Sequence, residues 1–249
     1  MNQRVQTKLS VNLNKVALLR NQRDVGYPSV IEAARLVIDS GAAGITVHPR
    51  PDERHIRRSD VYELARFLED EHGGRVEFNI EGNPTESFIA LVLEVRPAQV
   101  TLVPDSPEQR TSDHGWDFAR HAELLRPIVA RIEAAGIRVS VFVDPGLGPV
   151  EGAADVRAQR IELYTEPYAA AYAAGDYGEV LEEFARSAEA AHRLGLGVNA
   201  GHDLNLDNLR DFRAAIPMLA EVSIGHAITA DALNIGFPAA VAAYLEALK

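Results

Sequence analysis

Short runs rich in Val, Ile and Leu recur along the chain, each followed by a polar loop and a stretch with helical period. Eight runs read as strands: Lys8–Asn14, Gly44–His48, Val76–Glu81, Gln99–Val103, Arg138–Asp144, Ile161–Tyr164, Leu196–Ala200 and Val222–Gly225. Between them, Ser29 and Glu32 form a capping box ahead of Val30, Ile31, Ala34, Val37 and Ile38, and Gly41 ends that helix. Asp60 and Glu63 repeat the device, and Asn83-Pro84 is expected to open a third helix that stops before Pro97. Further helices are expected over Asp117–Ala135, Val150–Gln159, Glu179–Leu194, Leu206–Ala215 and Pro238–Leu248. Strands alternating with helices over 249 residues, with no linker or low-complexity tract, predict an α/β fold: one (β/α)8 TIM barrel spanning residues 1–249.

Within each strand the two faces differ. Leu9, Val11 and Leu13 alternate with Ser10, Asn12 and Asn14; Ile45 and Val47 with Thr46 and His48; Val76, Phe78 and Ile80 with Glu77, Asn79 and Glu81. Ser140, Asp144, Glu162, Asn199 and Ser223 continue the polar set. In a barrel the apolar parity meets the helices, so the polar parity fills the interior. A buried carboxylate without a partner costs several kcal/mol, so these groups must be paired, wet or facing a ligand. A hydrogen-bonded polar core is the plain alternative. Several of the groups, however, fall at C-terminal strand ends, where barrel active sites form.

Composition narrows the chemistry. The absence of cysteine removes disulfides, thiolate nucleophiles and sulfur-based metal sites. Only Lys8, Lys15 and Lys249 stand beside 22 arginines, so few lysines are available for Schiff-base chemistry. A net charge of −11 disfavours nucleic acid and anionic membranes as partners. No apolar stretch approaches the ~18 residues of a membrane span, and the polar start is unlike a signal peptide, so a cytoplasmic protein is expected.

The strand ends carry the candidates. After strand one, Asn12 is suited to orienting a carbonyl, while Lys15, Arg20 and Arg23 are either phosphate ligands or solvated loop charges. After strand two, His48 and His55 offer proton transfer, and Arg50 and Arg54 bidentate grip on phosphate. Their spacing matches no common zinc pattern, and no metal is expected. Glu81, at the end of strand three, is either a general base or the salt-bridge partner of Arg50. Residues 104–117 form a patternless loop of the kind that closes over a site. His202 and Asp203 follow strand seven. Gly225 and His226 follow strand eight, where barrels often hold a phosphate at a helix start. His72, His121 and His192 are expected at the solvated surface.

Val11-Asn-Leu-Asn-Lys-Val-Ala-Leu-Leu-Arg-Asn21, Gly44-Ile-Thr-Val-His-Pro-Arg50 with Arg54-His55, Asn79-Ile-Glu81, Leu102-Val-Pro104, Val198-Asn-Ala-Gly-His202 and Ile224-Gly-His-Ala-Ile228 together resemble the pyridoxine 5′-phosphate synthase family. The motifs occur in that family's order from strand one to the last helix. The resemblance implies condensation of 3-amino-2-oxopropyl phosphate with 1-deoxy-D-xylulose 5-phosphate to pyridoxine 5′-phosphate, phosphate and water, without metal or organic cofactor. It implies His48 and Glu81 as proton acceptors and His202 as proton donor. Asn12, Arg23, Asp203, Gly225 and His226 would hold the aminoketone phosphate; Arg50, His55 and Thr111 would hold the deoxyxylulose phosphate. Glu162 is an auxiliary candidate for the acid–base steps, and Arg20 a further one near the site. The family also forms octamers built from dimers and carries extra helices, expected here near Glu166–Ala174 and Thr229–Gly236.

One departure is evident: Asn14-Lys15 stands where many members have Asp-His, which removes an imidazole but keeps a positive charge. Asn14 and Lys15 therefore remain binding candidates. Asp203 occupies a position where glycine is also found, which favours a backbone contact there. The competing readings are another phosphosugar isomerase or aldolase barrel using Glu81 and His48, and a catalytically silent phosphate-binding scaffold.

Overall fold

In the computed structural model, residues 5–23, 25–106, 109 and 112–249 are described. Eight parallel strands close into a barrel in sequence order: β1 (Lys8–Asn12), β2 (Gly44–Val47), β3 (Glu77–Gly82), β4 (Gln99–Leu102), β5 (Arg138–Val143), β6 (Arg160–Leu163), β7 (Gly197–Ala200) and β8 (Leu219–Ile224). Each predicted strand is present. β8 begins three residues before the expected Val222, and β1 stops at Asn12 rather than Asn14. There the Asn12 side-chain oxygen accepts the Asn14 N–H at 3.0 Å, an Asx turn that leads into an unforeseen helix, α1 (Asn14–Arg20).

The remaining helices are α2 (Val30–Asp39), α3 (Arg58–His72), α4 (Glu86–Val95), α5 (Phe118–Ala134), α6 (Leu147–Asp155), α7 (Glu166–Ala174), α8 (Gly178–Arg193), α9 (Leu209–Ala215), α10 (His226–Ile235) and α11 (Phe237–Ala247). Ser29 caps α2 as expected, its hydroxyl accepting the Glu32 N–H. Asp60 does not start α3. It is the third residue of that helix, and its carboxylate reaches back to the Arg57 N–H at 2.7 Å. Thr85, rather than Asn83, caps α4 by accepting the Phe88 N–H. The helix expected over Val150–Gln159 begins earlier, at Leu147, and ends at Asp155. The two extra helices are α7 and α10.

The division of strand faces holds. Leu9, Val11, Ile45, Val47 and Ile80 are fully buried beneath the helices. The inner parity forms a polar lattice. Ser10 meets Thr46 at 2.7 Å, Asn79 donates to Thr46, and Thr101 donates to Asn79 at 3.1 Å. Nearer the N-terminal ends of the strands the partners are charged. Lys8 and Arg138 both bind Glu77 at 2.6 Å, and Arg160 reaches Asn199 at 3.1 Å and Glu221 at 3.4 Å. Ion pairs thus cross the base of the barrel, while Glu81 and Glu162 lie toward the opposite mouth.

Candidate active site

At the C-terminal mouth lies a cavity of about 510 Å³. Its lining includes twelve of the residues singled out from the sequence: Asn12, Asn14 and Lys15 from the first turn, and His48, Arg50 and His55 from the β2–α3 loop. Glu81 and Glu162 enter from β3 and β6, and His202, Asp203, Gly225 and His226 from the last two strand ends. Three others stand apart. Arg23 lies in the exposed turn after α1, outside this lining, and Thr111 lies outside the described residues. Arg20 turns away from the cavity into a bidentate ion pair with Asp60, at 2.5 and 2.9 Å.

That pair builds the site from behind. Arg20 also donates to the His55 carbonyl at 3.2 Å, and Asn21 donates to the carbonyls of Arg54 and His55 at 3.1 and 2.8 Å. α1 and the start of α3 thereby clamp the loop that carries Arg50, Arg54 and His55. Asn14 performs a similar task, its side-chain oxygen accepting the His48 N–H at 2.9 Å. Glycine is required at two points. A side chain at Gly201 would stand 2.0 Å from the Ser223 carbonyl, and one at Gly225 would press on Asn12 at 3.0 Å. Gly225 also precedes α10, whose first N–H groups have no partners within the helix and suit an anion.

The central histidines differ in charge. Burial, reinforced by Arg50, His55 and His202, holds His48 well below the usual histidine range, so its imidazole is neutral. His55 is pushed down to about 4 by burial, Arg50 and Lys15. Its Nδ1 accepts the Ile56 N–H at 2.9 Å, which assigns the proton of the neutral ring to Nε2. For His202, burial opposes the charged form, but the hydrogen bond and charge of Asp203, with Glu162 and Asp105, prevail and raise it. His48 Nδ1 stands 3.9 Å from Glu81, and Asn12 donates to the same carboxylate oxygen at 3.4 Å. Burial, then the charges of Glu162, Asp105 and Glu221, raise Glu81 well above the carboxylate range. Burial and Glu221 push Glu162 up to about 7.

Arg50 does not pair with Glu81, one of the two roles open from the sequence. Its guanidinium binds Asp105 and donates to the Gln109 carbonyl at 3.0 Å, while Ser112 donates to Asp105 at 2.8 Å. Arg54 donates to the same Gln109 carbonyl at 3.0 Å. The described part of the loop after β4 is thus docked against the β2–α3 loop. A second cavity, of about 450 Å³, shares His48 and Arg50 with the first and extends toward Asn83 and Phe88. Among the described residues, no group of three histidine or acidic side chains is arranged to hold a metal ion.

Sequence reasoning missed the supporting residues. Asp60, Asp105, Thr165 and Asn208 each act through partners 36 or more residues away or through loop backbone. Only the placement of Asp60 near a helix start hinted at a role. The three outlying histidines also divide: His192 is exposed, whereas His72 and His121 are half-buried with their rings against Phe67 and Trp116.

Similar folds occur in solved structures of low identity. Tryptophan synthase from M. tuberculosis aligns with a TM-score of 0.64 at 10% identity, covering 98% of this chain and 94% of that one. Phosphoribosyl anthranilate isomerase from Thermus thermophilus aligns with a TM-score of 0.56 at 17% identity, covering 96% and 100%. These likenesses concern the barrel alone. Sequence relatives are far closer. Pyridoxine 5′-phosphate synthase of Albidiferax ferrireducens is 56% identical over 247 residues, 97% of each chain. Those of Brucella anthropi and Christiangramia forsetii are 53% and 52% identical, covering 97% and 98% of this chain and 98% and 100% of theirs. The family model for pyridoxal phosphate biosynthesis protein PdxJ matches residues 9–249. With that match and relatives more than half identical along nearly its whole length, the chain belongs to the PdxJ family and is an enzyme.

Proposed function

We propose that the cavity joins 3-amino-2-oxopropyl phosphate to 1-deoxy-D-xylulose 5-phosphate, forming pyridoxine 5′-phosphate with release of inorganic phosphate and water. The observation that carries this reading is the juxtaposition of a neutral His48, a high-pKa Glu81 and a raised His202 in one cavity that also opens on Arg50, His55 and the start of α10. Carbonyl addition, dehydration and ring closure each move protons, and groups of opposite readiness catalyse them in succession. The substrate supplies the amine, so no enzyme lysine is needed as an electrophile trap.

His48 is the acceptor for the first proton, since its imidazole is neutral. Glu81, once ionised, is a stronger base than an ordinary carboxylate because its pKa is raised, and it serves as the second acceptor. His202 returns a proton to the departing oxygen, with Glu162 as an auxiliary group. Asn12 and the Gly225–His226 helix start hold the aminoketone phosphate. Arg50, His55, Lys15 and Asn14 hold the deoxyxylulose phosphate, with Thr111 joining from the loop after β4. Arg23 serves the aminoketone phosphate only if its exposed turn folds inward. The enzyme works in the cytoplasm, assembled as an octamer of this chain built from dimers. No described helix is long and apolar enough to cross a membrane.

The test is direct. Purified, metal-free protein given both substrates should yield pyridoxine phosphate and inorganic phosphate in equal amounts. Turnover of either substrate alone, with no pyridoxine phosphate from the pair, would replace this reading with an isomerase or aldolase.

A further inference from the structure

Adjacent residues in a strand point to opposite sides, yet His202 and Asp203 meet side chain to side chain, with Nδ1 2.8 Å from Asp203 Oδ2. The loop after β7 makes this possible by turning tightly: the Leu204 N–H donates to the Gly201 carbonyl at 2.7 Å. Asp203 is held on both sides of its backbone. Its N–H donates to Thr165 Oγ1 at 3.2 Å, and its carbonyl accepts Asn208 Nδ2 at 3.3 Å. Thr165 is fully buried and donates onward to the Gly201 carbonyl at 3.1 Å, while buried Asn208 is fixed by accepting the Asn205 N–H at 2.8 Å.

This arrangement bears on the sequence expectation that Asp203 binds a substrate phosphate through its backbone. Its N–H is already donated to Thr165, and a bare carboxylate beside a phosphate would repel it. Both difficulties vanish if the carboxylate serves the imidazole. A histidine whose Nδ1–H is held by a carboxylate has one defined tautomer, a fixed ring plane and a stabilised cationic form. The ring of Tyr164, itself packed on Phe142, stands edge-on to the imidazole with the ring centres 6.4 Å apart.

We propose that Asp203 is a positioning residue: its carboxylate fixes the Nδ1–H of His202 and compensates the imidazolium, so that Nε2 is the proton-donating atom turned to the cavity. The assignment rests on the reaction proposed above for His202's role as donor, but the contact itself does not. Among the described residues, the other charged or titratable groups facing His202 include Glu162 in β6, Tyr164 just after it, Asp105 after β4 and His48 after β2. Among the described residues Asp203 is the carboxylate hydrogen-bonded to the ring, so its removal shifts His202 while leaving those groups in place.

The experiment uses full-length protein labelled with 15N-histidine, with His202 assigned through His202→Asn. In Asp203→Asn the amide oxygen still accepts the Nδ1–H, so geometry is kept and only the charge is lost. The His202 titration midpoint should fall by about one pH unit, the low end expected for a half-exposed ion pair. The basic limb of kcat/KM should fall by the same amount, giving roughly tenfold less activity at pH 8 and nearly normal activity at pH 6. Asp203→Ser should move the midpoint the same way, and thermal unfolding should show both variants folded. An unmoved midpoint in both variants would overturn the proposal, as would an equal loss of kcat/KM at every pH. A wild-type enzyme that makes no pyridoxine phosphate would remove the donor role while leaving the titration to decide the contact.

Discussion

Glu162 offers a stability test whose sign depends on pH. Its side chain lies 4% exposed inside the barrel, with Oε2 accepting the Thr101 hydroxyl at 3.4 Å. Burial and the neighbouring Glu221 push its carboxyl up to about 7, against about 4.5 in an open chain. The folded protein therefore keeps a proton that the unfolded chain has released between about pH 4.5 and pH 7. Stability falls as pH rises through that window, and the whole penalty is present above it. At 1.36 kcal/mol per pH unit, ionised Glu162 destabilises the fold by about 3 kcal/mol at pH 8 and by less than about 1 kcal/mol at pH 5. Glu162→Gln carries no charge at either pH and its amide oxygen can still accept from Thr101. At 2–4 °C per kcal/mol for a chain of this size, Tm should rise by roughly 6–12 °C at pH 8 and by only about 2–3 °C at pH 5. Turnover should fall in the same variant. Calorimetry at the two pH values decides the matter: an equal gain at both would point to packing rather than charge, and no gain at pH 8 would show that ionised Glu162 does not destabilise the fold.

Arg20→Met should cost about 3 kcal/mol in urea unfolding, because the buried Asp60 loses its bidentate partner. It should also raise KM for the deoxyxylulose phosphate more than that for the aminoketone, since the freed loop carries Arg50 and His55. Glu81→Gln and His48→Gln should each lower kcat by about 10²–10⁴, with calorimetric affinity for either substrate changed only slightly; a loss confined to affinity would remove both from the chemistry. Gly225→Ala places a methyl against Asn12 and should raise KM for the aminoketone phosphate at nearly constant kcat. A normal KM there would show that the helix start is not the anion site.

The alternation of apolar and polar residues made the barrel legible, because a period of two assigns a face to every strand residue without any knowledge of partners. Asn12, Glu81, Glu162 and His202 were found that way, as inner-face or strand-end groups. What escaped was whatever depends on an unseen neighbour. The residues after Asn14 read as a loop following strand one until the Asx turn at Asn12 is seen, which starts a helix over Asn14–Arg20. Arg20 and a phosphate-binding arginine look alike in sequence; the carboxylate that claims it lies 40 residues away. The same holds for Arg50, whose partner Asp105 lies 55 residues away in a loop without pattern. Asp203 lines the cavity, but only the tight turn at Gly201–Leu204 brings its carboxylate onto the preceding side chain, His202.

The carboxyls inside the barrel span a wide range because their partners are distributed unevenly along its axis. Burial works against ionisation of Glu77, yet Lys8 and Arg138 overcome it and hold the group down to about 2. Glu221 lies in the same lower layer, but burial and nearby Glu77 outweigh Arg160 and Arg138, and it rises to about 7. Above them, neither Glu162 nor Glu81 is bonded to an arginine among the described residues, and Arg50 is turned to Asp105. Glu81 and Glu162, which line the cavity, thus keep their protons more readily than Glu77, as Glu221 below them also does. On the proposed chemistry this bias is useful. An arriving ammonium group stabilises the ionised form of Glu81, which then becomes a base at the moment a substrate proton has to be taken. The polar barrel interior, costly in a fold built only for stability, places proton-holding groups where a sequence of condensation steps would draw on them.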